Sequence, residues 1–272
     1  MSELKRRRPR TDRLRLGLGF FTVLFALFIL APQVVVVVVS FSASQFLSFP
    51  ITGWSLHWYG HIIEYRPFVD ALITSFELAF ASTATGTLIG VPAALALGRR
   101  KTGWSGAVTT LLLSPISIPA LVLGFALLYY LSALHLGVSF ASLLIAHTVV
   151  AIPYITRTVL AVYRSMPAAL EEAACILGAG RWDIFRHITL PLIRPGIFAG
   201  GLFAVLISLD NLPLSYFFGS SSTNTLPVVM LSYLQNQFDP SVAAVSTVQM
   251  AIALVLLLAV DRAYGINRLI TA

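Results

Sequence analysis

Acidic side chains are scarce in this sequence, and two of them lie in unexpected surroundings. Only 11% of the 272 residues are charged, yet Glu77 and Asp210 each lie within a long apolar stretch. An ionised carboxylate inside a membrane is unfavourable unless it faces a partner or a water-filled cavity, so such a residue is a functional candidate. We therefore consider Glu77, Asp210 and the adjacent Asn211 as candidates for lining a solute path. A structural cap or an interhelical hydrogen bond is an equally good interpretation of Asp210.

Residues that could catalyse a reaction or bind a metal do not form a recognisable set. Cys175 is the only cysteine, which excludes an intramolecular disulfide, and without a nearby histidine it is expected to pack rather than react. His57 and His61 are four residues apart, but without a third ligand they favour interfacial packing over metal binding. Lys101 follows an arginine rather than the glycine of a phosphate-binding loop, and His147 is expected to bond to a neighbouring helix. The sequence therefore predicts no enzyme activity of its own, no cofactor and no metal.

A polar segment from Pro167 to Pro195 interrupts the apolar sequence and predicts a short helix. Pro167 suits the first turn of a helix, and Gly178 suits a left-handed residue that ends one. Between them, one helical face carries small and apolar residues, namely Leu170, Ala173, Ala174 and Leu177. The neighbouring Glu171 and Glu172 would provide polar anchoring. Such a helix is suited to docking against another protein, and an ordinary amphipathic linker is the alternative.

The same segment carries a recognisable motif, which consists of Glu172-Ala-Ala174, Gly178 and Ile188-Thr-Leu-Pro191. This spacing resembles the EAA loop of ABC importer permeases, and all seven positions that the loop specifies are filled here. In that family the loop forms a coupling helix, which inserts into a groove of a cytoplasmic ATPase subunit. The resemblance therefore implies that coupling to an ATPase involves Glu171, Glu172, Ala173, Ala174, Gly178, Ile188, Leu190 and Pro191.

Long apolar stretches predict an all-α, polytopic membrane protein. Hydrophobic residues make up 57% of the chain, and a helix needs about 20 apolar residues to cross a bilayer core of about 30 Å. Six stretches approach or exceed that length, namely 16–39, 68–97, 103–132, 138–163, 197–217 and 243–261. Pro115 and Pro119 predict a kink in the third. The first has 24 uncharged residues, which is longer than a signal-peptide core, so it is expected to be retained.

The distribution of basic residues predicts how the spans are oriented. The net charge is +7, and most cations lie before the first span, after the second, between the fourth and fifth, and after the sixth. These cations are Lys5, Arg6, Arg7, Arg8, Arg10, Arg13, Arg15, Arg99, Arg100, Lys101, Arg164, Arg181, Arg186, Arg194, Arg262 and Arg268. By the positive-inside rule, both termini and a coupling loop at 165–196 are cytoplasmic. We expect a basic tail at 1–15, one transmembrane domain at 16–265, and no nucleic acid partner, because juxtamembrane cations normally serve topology and anionic lipid.

Two further segments resemble permeases of the spermidine/putrescine type, in particular the second of the two permeases in such systems. The aromatic loop at 40–67 contains Gly53-Trp-Ser-Leu-His-Trp-Tyr59, and the fifth stretch contains Ser208-Leu-Asp-Asn-Leu-Pro-Leu-Ser215. The latter resembles a Ser-Phe-Asp pattern of those proteins, with Leu209 where phenylalanine is common. Tryptophan and tyrosine also concentrate at membrane interfaces, so anchoring of the first two spans is the other interpretation of the loop.

Together the resemblances imply a permease subunit of an ABC importer, with a type I importer fold, in a bacterial inner membrane. They further imply a second permease, two cytoplasmic ATP-binding subunits and a periplasmic solute-binding protein as partners, with the lipid bilayer around the spans. The expected solute is a polyamine such as spermidine or putrescine. The alternatives are another small solute (an amino acid derivative, another organic cation or an anion), a stand-alone secondary transporter or channel, and, last, a membrane enzyme.

Overall fold

Helices account for almost all of the regular structure. The structure is a computed structural model that describes residues 11–99, 103–220 and 223–264. The helices in chain order are α1 (Thr11–Ser40), α2 (His57–Glu64), α3 (Arg66–Gly98), α4 (Gly103–Leu113), α5 (Ala120–Ala133), α6 (Phe140–Ser165), α7 (Ala168–Ile176), α8 (Arg181–Ile184), α9 (Leu190–Leu209), α10 (Leu212–Phe218), α11 (Leu226–Asn236) and α12 (Ser241–Tyr264). A 3₁₀ turn at Ser114–Ser117 follows α4, and a π-helical turn at Phe185–Thr189 precedes α9. The prediction of an all-α chain is confirmed.

Five of the described helices are long and apolar enough to cross a membrane, and a bent pair provides a sixth candidate. The five cover Arg15–Ser40, Arg66–Gly98, Phe140–Ser165, Arg181–Leu209 and Ser241–Arg262. The bent pair consists of Gly103–Ser117 and Ala120–Ala133. Counted as one span, the pair completes the six spans that hydropathy predicts.

The third predicted span is broken rather than merely kinked. Its two halves meet at an angle of 107°. Pro115 lies in the 3₁₀ turn, and Pro119 directly precedes α5 in an extended conformation with a ψ of 129°. Since neither proline has an N–H to donate, the helical hydrogen-bond ladder cannot run through this segment. The prolines therefore predicted the place of the bend but not its size.

The fifth span lies earlier in the sequence than its apolar stretch suggests. Hydropathy predicts 197–217, whereas the helix runs over Arg181–Leu209 and is followed by α10 after a break at Asp210 and Asn211. The predicted start is too late because charged residues occupy the first helical turns. The predicted end is too late because the apolar residues of α10 extend the hydropathy signal past the break.

The described residues cluster into two units, and the first contains the chain from Thr11 to Ile62 together with Phe238–Val248. Within it, Nε1 of Trp58 donates a hydrogen bond of 2.9 Å to the carbonyl of Ser42. The rings of His57 and His61 both contact Trp58 edge-on. Both histidines thus pack against an aromatic side chain, as expected of an interfacial segment.

The second unit contains the described residues between Ile63 and Gln237 and between Gln249 and Tyr264. Its core forms where α3, α6 and α9 pack together. Close approach depends on small residues. A Cβ at Gly90 would lie 3.0 Å from Oγ1 of Thr156, and one at Gly200 would lie 2.9 Å from Cα of Ile155. Glycine at such contacts lets membrane helices approach backbone to backbone. This packing positions the end of α6 and the start of α9, and residues 166–189 between them form the α7 loop.

Candidate coupling site and solute path

α7 (Ala168–Ile176) is the short helix that the polar segment predicts. The chain turns at Gly178, whose φ of 85° is a left-handed conformation that favours glycine. Two hydrogen bonds of 3.0 Å close the helix end, from the N–H of Gly178 to the carbonyl of Cys175 and from the N–H of Ala179 to the carbonyl of Ala174. This pair of bonds is the Schellman motif. The predicted helix and its end at Gly178 are confirmed.

Apolar side chains are exposed on this short polar loop. Ile176 is 86% exposed and Leu177 is 87% exposed, and Leu170 and Trp182 are exposed as well. Glu172 lies among them in the sequence and is also exposed. Exposed apolar side chains concentrated on one loop are typical of a protein-binding surface. We refer to these five residues as the exposed face of the α7 loop.

Glu171 points instead toward helices of its own chain. Its carboxylate lies 3.2 Å from the guanidinium of Arg99. The hydroxyl of Thr189 donates to it at 2.7 Å, and that of Tyr163 donates at 3.3 Å from each carboxylate oxygen. Arg99 directly follows α3, Tyr163 lies near the end of α6, and Thr189 directly precedes α9. The Glu171 cluster, formed by these four residues, therefore joins α7 to three candidate spans.

Arg99 makes further contacts in this cluster. Its guanidinium carbon lies 4.8 Å from the centre of the Tyr163 ring, and Nη1 donates a hydrogen bond of 3.4 Å to the carbonyl of Met166. Burial lowers the pKa of Arg99, but the hydrogen bond to Tyr163 and the charge of Glu171 outweigh burial, so the pKa is raised. Arg99 is therefore a permanent cation that holds the Glu171 carboxylate.

The second half of the motif lies where α9 begins. The π-helical turn at Phe185–Thr189 leads into α9, and Pro191 follows it without an N–H for the α-helical ladder. Leu190 packs against the core of the second unit. Ile188 is half-buried, whereas Pro191 is exposed. Within the motif, then, Leu190 supports the start of α9, while Pro191, Glu172 and Gly178 are accessible. Of the two alanines, Ala173 is exposed and Ala174 is half-buried.

Asp210 and Asn211 lie at the break between α9 and α10 rather than inside a helix. Asp210 ends α9, where its N–H donates to the carbonyl of Leu206 at 3.2 Å, and its side chain is exposed. Asn211 is 9% exposed, and its Oδ1 accepts a hydrogen bond of 3.2 Å from the N–H of Leu214, which caps α10. An asparagine two residues before Pro213 is a helix-start signal that could have predicted this break.

His147 holds both sides of this break. It lies on α6 and is only 2% exposed. Its Nδ1 lies 2.8 Å from Oγ of Ser208 in the last turn of α9, and its Nε2 lies 3.0 Å from Oγ of Ser215 in α10. The predicted interhelical hydrogen bonds of His147 are confirmed. The break is therefore a braced feature of the fold.

A cavity of about 150 Å³ lies next to the break and is lined mainly by apolar side chains. Pro115 contributes to it from the bend of the third span, Tyr154 from α6, and Asn211 and Leu214 from the break and α10. Two interrupted helices thus border one cavity, an arrangement that transporters use to form solute sites. Glu77 is exposed on α3 and does not line this cavity.

A larger, open cleft of about 450 Å³ also borders α10, through Tyr216. Tyr65 and Tyr233 add aromatic rings, and Asn224 and Gln235 add amide groups. Among the described residues, every side chain that lines the cleft is uncharged. α10 therefore contributes residues to both the small cavity and the open cleft.

Comparison with known proteins reveals clear relatives. A family described as "binding-protein-dependent transport system inner membrane component" matches residues 86–267. The spermidine/putrescine transport system permease protein PotC of Haemophilus influenzae is 30% identical, over 88% of this chain and 92% of its own length. The molybdenum transport system permease protein ModB of Mycobacterium bovis is 34% identical, over 70% of this chain and 77% of its own length.

The fold also occurs in a solved structure, that of a bacterial alginate ABC transporter in complex with an alginate pentasaccharide-bound periplasmic protein. A chain of that structure matches with a TM-score of 0.70 and 20% identity, covering 93% of this chain and 94% of its own. This similarity confirms the predicted importer fold. Because the family match extends over more than half of the sequence, this chain belongs to the family of inner membrane components of binding-protein-dependent transport systems.

Proposed function

We propose that this permease is one of two in an ATP-driven importer and that its solute is a polyamine. The observation that carries the choice of solute is the carboxylate of Asp210. It lies at the break between α9 and α10, and the adjacent Asn211 lines a cavity bordered by two interrupted helices. A negative charge at such a position favours a cationic solute over an anionic one.

A polyamine fits the chemistry of both cavities. Its methylene groups would contact the mainly apolar walls next to Asn211. Its ammonium groups would pair with Asp210, which directly precedes Asn211 in the chain but does not itself line the cavity. In the open cleft, the aromatic rings of Tyr216 and Tyr65 would attract a cation. The name of PotC, which is similar along most of this chain, supports the same solute class. We assign Glu77, exposed on α3, to the path where this chain meets the second permease.

Coupling to ATP hydrolysis is assigned to the α7 loop. Its exposed face would be buried in a groove of a cytoplasmic ATP-binding subunit, with Ile176 and Leu177 contributing apolar area and Glu172 a charge. The hydrolysis itself would be carried out by two such subunits, and a periplasmic binding protein would deliver the solute. ATP-driven movement of α7, the coupling helix, then switches the spans between inward-open and outward-open arrangements.

The orientation follows from the charges of the sequence. In our proposal both termini and the coupling helix face the cytoplasm, within a transmembrane domain at 16–265. Much of the basic tail, residues 1–10, lies outside the described residues, and residues 11–15 belong to α1. Arg164 at the end of α6 and Arg181 at the start of α8 flank α7 on the proposed cytoplasmic side.

An anionic solute is the second candidate, because ModB, named as a molybdenum transport permease, is 34% identical. The two candidates differ in how they interact with Asp210, since an anion would be repelled by its carboxylate. The Asp210 charge therefore favours the polyamine.

ATP hydrolysis by the complete transporter distinguishes the candidates. The complex would be reconstituted in nanodiscs with its binding protein, and hydrolysis measured with spermidine, putrescine or molybdate. We expect a several-fold stimulation by a polyamine and none by molybdate, with the solute-free binding protein as the control. Stimulation by molybdate alone would contradict the polyamine assignment and leave the importer assignment intact.

A further inference from the structure

We propose that Glu171 is a positioning residue that fastens the coupling helix α7 to three spans, so that α3, α6 and α9 move together when α7 is displaced. The inference rests on the proposed docking of α7 against an ATPase. It adds to that docking an internal connection between α7 and the spans, made by a side chain that lies outside the exposed face.

The carboxylate of Glu171 suits this role because it is an acceptor shared by donors on different helices. Arg99 reaches it from the end of α3, Tyr163 from α6, and Thr189 from the start of α9. A carboxylate offers about four acceptor positions, so it can accept all these donors at once. Moving any one of the helix ends away from α7 would break a charge-assisted hydrogen bond.

The Tyr163 ring occupies a site that the sequence of α3 makes possible. It lies against Gly98, and a Cβ at that position would overlap the ring. Arg99 covers the ring as well, with its guanidinium carbon 4.8 Å from the ring centre. The end of α3 thus packs against Tyr163, while Arg99 forms an ion pair with Glu171. This packing connects α3, α6 and α7 directly, without the exposed face.

Two adjacent carboxylates therefore have different roles. Glu172 is exposed and belongs to the face proposed to dock, whereas Glu171 is oriented into the Glu171 cluster. Removing the Glu171 charge should leave docking intact and disconnect it from the spans. A residue that served only docking would show the opposite result.

The direct test is Glu171→Gln, which keeps the size of the side chain but replaces one acceptor oxygen with a donor amide. Spin labels would be placed at Arg164→Cys on α6 and Arg262→Cys on α12, both exposed, in a Cys175→Ser complex otherwise free of cysteine. Because α12 contributes no residue to the Glu171 cluster, the distance between the labels reports how α6 moves relative to a helix outside that cluster. The distance between the labels would be measured with and without ATP, in the absence of solute. Co-purification of the ATPase subunits and the rate of ATP hydrolysis would be measured on the same samples.

We expect the ATPase subunits to co-purify with Glu171→Gln as with the wild type and hydrolysis to stay within about twofold. The ATP-dependent change in label distance should fall to less than half of that in the wild type. An unchanged distance response would overturn the proposal. Loss of the ATPase subunits would also overturn it, because Glu171 would then serve docking itself.

Two further variants sharpen the result. Thr189→Val removes one donor to the carboxylate and should weaken the distance response partly, and combining it with Glu171→Gln should add little, since both act in one network. Glu64→Gln makes the same chemical change at an exposed position on α2 and should have no effect.

Because the distances need no solute, an incorrect polyamine assignment would not alter them. A wild-type complex without any ATP-dependent change would contradict the proposed coupling as a whole.

Discussion

His147 and Ser208 are joined by a hydrogen bond of 2.8 Å, which ties the first half of α6 to the last turn of α9. Through its other ring nitrogen, His147 also bonds to Ser215 of α10. One buried imidazole thus fixes the two helices that flank Asp210 and Asn211. In the proposed mechanism, this brace keeps the charged end of α9 beside the cavity.

Replacing His147 with alanine should destabilise the break. The change removes two interhelical hydrogen bonds, each contributing on the order of 1 kcal/mol in a membrane protein, and leaves two serine hydroxyls without their partner. We expect a clear decrease of the melting temperature in detergent, together with reduced uptake. Thr110→Ala, which removes only an exposed hydrogen bond within α4, is the control and should melt like the wild type. Equal melting of both variants would show that the brace is not needed.

The exposed face of the α7 loop should contribute to ATPase affinity and not to the stability of the permease. Ile176 and Leu177 are 86% and 87% exposed, so Ile176→Ser and Leu177→Ser should leave the melting temperature of the isolated permease unchanged. Full burial of such a side chain is worth about 1.5–3 kcal/mol, so each variant should bind the ATPase subunit roughly tenfold or more weakly. Titration of purified ATPase against the permease in nanodiscs measures this. Wild-type affinity in both variants would place the docking surface elsewhere.

We expect ATPase docking to depend on Gly178 in two ways. Its backbone adopts a left-handed conformation, and the surface around it is open to a partner. Its φ is 85°, while a Cβ there would meet no described atom within 4 Å. The left-handed conformation costs most residues about 1–2 kcal/mol, and asparagine tolerates it better than most. We therefore expect Gly178→Asn to retain the ATPase subunits.

The matching variant Gly178→Asp has nearly the same shape and adds a charge, so it separates charge from backbone strain. An unpaired charge buried in an interface is unfavourable, and the ATPase subunits should co-purify poorly with this variant while the permease still inserts. Normal transport by Gly178→Asp would count against docking at this turn.

Local signals in the sequence predicted much of this structure. The apolar stretches predicted the spans, and Pro167 and Gly178 predicted where the coupling helix begins and ends. Both kinds of signal are local, because hydropathy and helix caps depend only on residues that are close together in the sequence. Asn211 and Pro213 are also local signals, and they mark the start of α10. The apolar residues around them outweighed this signal, so the fifth span was predicted to continue through the break.

Contacts between distant residues could not be predicted in the same way. Glu171 was expected to anchor a partner, but its bonds to Arg99 and Thr189 depend on how α3 and α9 pack. The roles of Glu171 and Glu172 therefore could not be separated in the sequence, where both look like polar residues of one short helix. The cavity beside Asn211 likewise depends on a bend of 107° that the two prolines alone do not determine.

The orientation of the spans can be tested with single cysteines in a Cys175→Ser background. Thr223 lies in the segment between the fifth and sixth spans, which the positive-inside rule predicts to be outside, but it is only 5% exposed and is a poor labelling site. Gln235, near the end of α11, is exposed and suits the outer position, and Arg181 suits the cytoplasmic one. An impermeant thiol reagent added to intact cells should label Gln235→Cys and not Arg181→Cys. Labelling of both from outside would refute the six-span orientation.

The most direct test of the proposed function is uptake by Asp210→Asn. This substitution keeps the size of the side chain and removes its charge, so it separates electrostatics from packing at the end of α9. Uptake of labelled putrescine would be measured in proteoliposomes that contain the complete transporter, with molybdate uptake measured in parallel. We predict ATP-dependent putrescine uptake by the wild type, at least a tenfold decrease in Asp210→Asn, and unchanged melting and ATPase co-purification. Unchanged putrescine uptake by an intact Asp210→Asn complex, or molybdate uptake by the wild type, would contradict the assignment of a polyamine path at Asp210.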